Sequence, residues 1–480
     1  MKRLFPFFLF PFLLSTLAAQ DSIARAEAWP IVVAVHDTLA ALHPAAFLED
    51  GRTRLNAELE NIRPRLDDLL TGRPGDSLTY PEVIGLAAPL SDVLGCGHTF
   101  LRRRRTKALT ARLNANKPVI HVLPVIGEGF LLVKDVALGA GDTLREGTRI
   151  RAVDGRPVGE VVDELTRFYG INDHGHPAAA QRLIALNLDY QIRKNYGPRD
   201  TIRLTVVEDG TERTRTVPLP KVEKEPKTGK KKKTKKPRSK GLEVTFNEDR
   251  TVAYLEVSSF ADRNYRKVNY KKEVRKAIDA VNEADVDKLI VDVRSNLGGS
   301  IFNTIYLLRA LALEPFAATE SMESYSPIGR PKNFFAGFAR SILFGQRRDG
   351  DHVYRKGLAK AFKPFPEKRR FTGDLAVLIN SATFSAGTLF AHQVKVAGRG
   401  ILVGDTSSGS ARRTFGGGAK RYRIGTEGQL QLSFMNFAIN MYKPAEANLE
   451  PTHPYVLTLE HMLTEKDDAR AYAEKLLLGK

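Results

Sequence analysis

The sequence predicts an α/β fold: an α/β core at the C-terminal end, preceded by a helical region and a small β-rich domain. Three observations carry this reading. Beyond residue 242, strand-like and helix-like segments alternate; from about 119 to 220 the pattern has period two, punctuated by Asp-Gly turns; and from 22 to 118 apolar residues recur at three- and four-residue spacing. At 480 residues the chain is too long for one ordinary core, so two or three domains are expected. The apolar share of 42% and charged share of 27% suit a globular protein rather than a disordered one.

In chain order, Lys2 and Arg3 precede "LFPFFLFPFLLSTLAA", a short apolar stretch ending in small residues. This predicts a secretory signal over 1–19, cleaved near Ala18 or Ala19. Two prolines and its short length make it a poor membrane span, and no later segment could cross a bilayer. The expectation is an exported protein, periplasmic or extracellular, without a membrane span once the signal is removed. A single cysteine, Cys96, excludes an internal disulfide and a Cys-based metal cluster.

Residues 20–118 form the predicted helical region, with "AWPIVVAVHDTLAALHP" and "RTRLNAELENIRPRLDDLL" as its clearest helices. It ends in "LSDVLGCGHTFL", where an apolar helix gives way to a glycine-flanked histidine. Residues 119–220 form the β-rich domain. "GTRIRAVDGRPVGEVVDEL" reads as strand, turn and helix start, and "TIRLTVVEDGTERTRTVPL" as a hairpin with Ile202, Leu204 and Val206 on one face. Residues 221–241 are read as a Lys-rich linker. The net charge of +19 would suggest a nucleic-acid partner, but residues 221–240 alone hold eleven Lys/Arg against two Glu and so supply +9. The remaining excess shows no aromatic-basic pattern, so no nucleic-acid partner is expected. Residues 242–480 are the core, with strands at "TVAYLEVSSF", "DKLIVDVRSN", "LAVLIN" and "GILVG" and helices between them.

Three strand ends in the core finish in polar or glycine-rich corners: "DVRSNLGGS", "NSATFSAGT" and "GDTSSGSA". Sites in open α/β sheets form where the carboxyl ends of strands meet the next helices. Gly298 and Gly299 leave backbone N–H groups unshielded, and the Ala386 amide follows Ser385 at a helix start. Two such donors around one serine are the ingredients of an oxyanion hole. Each piece has a plainer reading. Gly-Gly after a strand is usually a tight turn, Ser385 or Thr383 fits a helix N-cap, and His98 beside an apolar helix fits a structural histidine.

The joint order of "VDVRSNLGGS", "VLINSATFSAGTLFAHQV" and "VGDTSSG" resembles the core of the C-terminal processing (tail-specific) serine peptidases, in particular their tricorn-core and interphotoreceptor-retinoid-binding branch. "LGCGHTFL" resembles that branch's Gly-His-Thr element, "LREGTRIRAVDGRPVGEVVDEL" its PDZ-like domain, and "NLEPTHPYVLTLE" the stretch after the core. The resemblance implies a crotonase-like core, with Ser385 as nucleophile and Gly298, Gly299 and Ala386 as the oxyanion hole. Relatives with a Ser-Lys dyad carry a lysine where this chain has Ser410. Arg412 and Arg413 stay protonated, and Lys395 lies about 15 Å along the helix from Ser385. The base implied is therefore His98, assisted by a late carboxylate, Glu446 ahead of Glu450. "THP", "NLGG" and the Lys-rich linker depart from the family's pattern and take no proposed catalytic group away.

The resulting expectation is an exported serine endopeptidase that cleaves peptides or unfolded proteins through an acyl-enzyme and uses no metal or organic cofactor. Its partner would be a peptide substrate, engaged through its C-terminus at the PDZ-like domain. The alternative is an inactive peptide- or hydrophobic-ligand-binding protein on the same fold.

Overall fold

The computed structural model describes residues 22–71, 75–104, 110–111, 113–125, 127–168, 173, 177–221, 242–262, 269–325, 346–350, 352–355, 358–426, 428–445, 448–455 and 468–479. Residues 1–19, expected to be the signal, nearly all of the Lys-rich stretch and Glu446 lie outside them. No helix among the described residues is long and apolar enough to cross a membrane.

The helical region opens with α1 (Arg25–Leu42), α2 (Gly51–Leu70) and α3 (Tyr80–Ala87). Helix α1 buries Ile31, Val32, Val35 and Leu39, the stripe its spacing predicts. Thr79 and Glu82 form a reciprocal capping box that starts α3. The next strand, β1 (Phe100–Arg103), begins two residues after His98.

The β-rich domain is an antiparallel sheet of β2 (Val122–Val125), β3 (Gly129–Leu132), β4 (Arg149–Val153), β5 (Thr201–Glu208) and β6 (Thr211–Pro218), ordered β6-β5-β4-β3-β2. Helices α4 (Val158–Thr166), α5 (Pro177–Ala185) and α6 (Leu188–Tyr196) lie between β4 and β5 in sequence. Asp154-Gly155 and Asp209-Gly210 both take left-handed backbone at successive residues, the geometry a two-residue hairpin turn requires. Ile202, Leu204 and Val206 are fully buried, as their alternation predicts.

The α/β core carries β7 (Glu243–Phe246), β8 (Ala253–Glu256), α7 (Tyr270–Glu283), β9 (Lys288–Asp292) and α8 (Ile301–Leu311). After an antiparallel insertion with β10 (Thr319–Ser324), β11 (Gln346–Asp349) and β12 (His352–Arg355), it continues with β13 (Asp374–Ile379), α9 (Ala386–Val396) and β14 (Ile401–Gly404). Strands β8, β9, β13 and β14 run parallel. Leu289, Val291, Leu375, Val377 and Ile379 face the core shared with the three helices, while Ile290, Ala376 and Leu378 face a second cluster around Ala473. Both faces are covered, so these strands read as continuous apolar runs. Each fully buried aliphatic side chain contributes about 1.5–3 kcal/mol.

A long hairpin, β15 (Arg413–Ile424) and β16 (Leu430–Met441), joins the two halves. Even-numbered Leu430, Leu432 and Phe434 pack into the core of the helical and β-rich regions, and odd-numbered Phe437, Ile439 and Met441 into that of the α/β core. One period-two strand thus serves two cores. Strand β10 pairs with the far end of β16, and β1 with its near end, Leu101 opposite Leu432. That pairing carries His98 to the α/β core.

Candidate active site

Ser385 stands at the N-cap position of α9 with φ 55° and ψ −118°, and its side chain makes no capping bond. A left-handed conformation at a non-glycine residue costs about 1–3 kcal/mol and persists only where the surroundings impose it. Thr383 is not the cap either. Its hydroxyl donates to the Val293 carbonyl at 3.0 Å and accepts from the Asn380 amide at 3.1 Å, stapling the turn to the next strand.

The glycine corner lies against this serine. A Cβ on Gly298, which has φ +99°, would sit 2.8 Å from Ser385 Cβ and 2.9 Å from the Ala386 nitrogen. A Cβ on Gly387 would sit 2.6 Å from the Asn296 carbonyl oxygen. The two turns therefore touch backbone to backbone, glycine at each contact. Asn296 bolts them together and is fully buried. Its Oδ1 accepts from the Gly298 amide at 2.8 Å, its Nδ2 donates to the Val257 carbonyl at 2.8 Å, and its carbonyl accepts from the Phe384 amide at 3.0 Å. The Gly298 N–H is thus engaged. The Gly299 and Ala386 N–H groups have no acceptor among the described residues; Ala386 follows Ser385 directly, and Gly299 lines the same cavity.

His98 packs its ring on Phe384, centroids 4.6 Å apart. It lines the cavity that Ser385 also lines, and its Nδ1 is buried without a hydrogen-bond partner. Burial lowers its pKa from 6.5 to about 4, so the imidazole is neutral at neutral pH. The neighbouring loop residues are held from two directions: the Gly97 amide donates to Asp173 Oδ1 at 2.7 Å, and His43 Nε2 bonds the Thr99 hydroxyl at 2.9 Å. The Ala45 amide donates to His43 Nδ1, which leaves the proton on Nε2.

The cavity encloses about 560 Å³ and is walled by Leu297, Phe302, Met322, Leu358, Phe415 and Ile439, with the Gly416–Gly418 bulge of β15 along one side. Leu297 and Phe302 remain about half exposed beside Ser385, 46% and 50%. No metal-ligand cluster of His, Cys, Asp or Glu occurs among the described residues.

The other sequence candidates lie elsewhere. Ser410 is fully buried, and its hydroxyl accepts from the Arg412 and Arg413 amides. Both arginines pair with Glu49. Lys395 Nζ donates to the Glu450 carbonyl at 2.8 Å, and Glu450 is exposed; neither lines the cavity. Asn296, Gly387, His43 and Asp173 escaped the sequence reading. Asn296 stood inside the quoted "SNLGGS", whereas nothing near Asp173 in sequence signals its contact with residue 97.

Residues 251–416, which span Gly298, Gly299 and Ser385, match peptidase family S41. They form an S41 serine-type peptidase domain. The match bears out the resemblance to the C-terminal processing peptidases drawn from the motif order. Solved structures agree on the fold. A CPAF mutant superposes with TM-score 0.64 at 15% identity, covering 94% of this chain and 96% of that one. Mature CPAF superposes at 0.59 with the same identity and coverage. Mature CPAF complexed with lactacystin gives 0.60 at 15% identity, covering 95% of this chain and 99% of that one. At this identity the likeness is one of fold, and it extends beyond the S41 domain to the helical and β-rich regions. No curated protein matches the chain.

Proposed function

We propose that the chain is an exported serine endopeptidase acting on peptides or unfolded proteins. The observation that carries this is Ser385 itself: a strained, uncapped serine at a helix N-terminus, sharing a cavity with a neutral histidine and with Gly299 and Ala386. Ser385 Oγ attacks the scissile carbonyl while His98 takes the hydroxyl proton. With Nδ1 enclosed, Nε2 is the nitrogen left for that transfer. The Gly299 and Ala386 amides receive the developing oxyanion, aided by the positive end of α9. His98 returns the proton to the leaving amine, and water releases the acyl group by the same steps in reverse. Gly298 serves as the spacer that lets its neighbour approach. The apolar cavity walls suit an apolar substrate side chain next to the scissile bond. The β-rich domain is read as a PDZ-like module that takes the substrate's C-terminus, and residues 1–19 as the export signal.

Hydrolysis of an unfolded-protein substrate by wild type, Ser385→Ala and His98→Ala tests this. Turnover by wild type alone supports it, and equal background rates in all three would overturn it.

A further inference from the structure

Asp173 is fully buried and belongs to no group the proposed chemistry uses. It lies between α4 and α5 of the β-rich domain, distant in sequence from both Ser385 and His98. Its backbone joins the loop after β14, since its amide donates to the Ser408 carbonyl at 3.0 Å and its carbonyl accepts from Asn448 Nδ2 at 3.2 Å. Its side chain reaches the other way. Oδ1 takes the Gly97 amide, and Oδ2 lies enclosed beside the Ser410 amide and the Thr414 hydroxyl, without a regular hydrogen bond to either.

Two facts make this more than a packing detail. Burying a carboxylate is costly unless its contacts hold it in place, and this one is spent on the residue immediately before His98. The loop it grips has few other ties: the Thr99 amide bonds back to the Cys96 carbonyl, and the Thr99 hydroxyl bonds His43. The groups on Asp173's far side belong to the loop and strand that border the cavity, for Thr414 lines it directly.

We infer that Asp173 is the positioning residue for His98, coupling the histidine's loop to the wall of the serine cavity through the Gly97 amide. The inference rests on the peptidase reading for its consequence in turnover, but not for the placement of the ring. Without the Oδ1 acceptor, the Gly97 N–H is left buried and unpaired and the loop loses its fixed register against the cavity. Burial raises its pKa from 3.8 to about 7, so the acceptor for Gly97 does not depend on a full negative charge.

The test compares Asp173→Ala and Asp173→Asn in the full chain by kinetics and by ¹⁵N-imidazole NMR, with the His98 signal assigned by its loss in His98→Gln. Asp173→Ala should lower kcat by about tenfold to a hundredfold with little change in KM, a cost typical of misplaced catalytic groups. The His98 resonances should shift and broaden. Asp173→Asn, which keeps the acceptor for Gly97, should recover most of kcat and the wild-type His98 signal. Unchanged kcat and unchanged His98 resonances in a folded Asp173→Ala protein would overturn the inference. So would an Asp173→Asn protein as impaired as Asp173→Ala. Asp173→Ser, polar but too short to reach the Gly97 amide, replaces the alanine variant should that fail to fold. An inactive wild type would defeat the peptidase reading alone, since the NMR comparison still decides whether Asp173 places the ring.

Discussion

Ser385 and His98 reach one cavity by different routes. Ser385 sits where a parallel strand turns into a helix, and its neighbours within a few residues, together with the adjoining Gly298-Gly299 turn, fix its backbone. Glycine at each contact lets main chain meet main chain. His98 instead rides on a short loop held from elsewhere: by the side chains of His43 at the end of α1 and Asp173 in the β-rich domain, and by the pairing of β1 with β16. The serine corner is a local, backbone-built device that tolerates almost no added atom. The histidine loop is a long-range, side-chain-built device whose failure should degrade placement before it degrades folding.

The strongest way to probe this contrast is at the serine. Ser385→Ala should lower kcat by at least about a thousandfold while leaving the thermal transition near wild type, as rate assays and calorimetry would check. Next is His98→Gln, expected to lower kcat/KM by roughly a hundredfold to ten-thousandfold. Its pH behaviour is specific. Because the folded pKa lies near 4, below the ordinary 6.5, the acid limb of kcat/KM should fall near pH 4. Between pH 6.5 and 4 the unfolded chain binds a proton that folded His98 refuses, so this residue's contribution to stability is lost as pH falls through that window. In His98→Gln that part of the decline should vanish from denaturant titrations across the range.

Gly298→Ala should behave as the local device predicts, losing both turnover and about 2–4 kcal/mol of stability, since the new methyl meets backbone in a left-handed conformation. A Gly298→Ala protein as stable as wild type would break the comparison. Asn296→Ala, which strips acceptor and donor from the same corner, should cost on the order of 3 kcal/mol in chemical denaturation. The smallest effect is expected from deleting residues 222–240, which should change hydrolysis by less than about twofold because long insertions between elements are tolerated. A large loss with steep salt dependence would instead favour a charge-driven partner.

Much of this molecule was legible in its sequence. The buried parallel strands announce themselves as apolar runs, Asp154-Gly155 and Asp209-Gly210 as turns, and α1 by its stripe, because each is fixed by interactions within a few residues. The β15–β16 hairpin was not read. Gly416-Gly417-Gly418 and the basic residues 420, 421 and 423 disrupt its alternation, and in β16 the apolar set switches from even positions, Leu430 to Phe434, to odd ones, Phe437 to Met441, because the strand borders two cores. A strand whose buried side changes part-way keeps no single alternating register along its length.

The candidate site divides along the same line. The sequence by itself marked the Ser385 corner, since the small residues of "NLGG" and "FSAG" are the ones two backbones in contact require. The family resemblance, with Ser410 where relatives carry a lysine, made His98 the expected base. Only the tertiary structure decided which amides are free, because Asn296 consumes that of Gly298. It alone brought Asp173 to the Gly97 amide, 76 residues away in sequence. A hydrogen bond across that separation leaves no periodicity and no spacing in the chain; it exists only once strands β1 and β16 have paired and the cores on either side of the hairpin have closed.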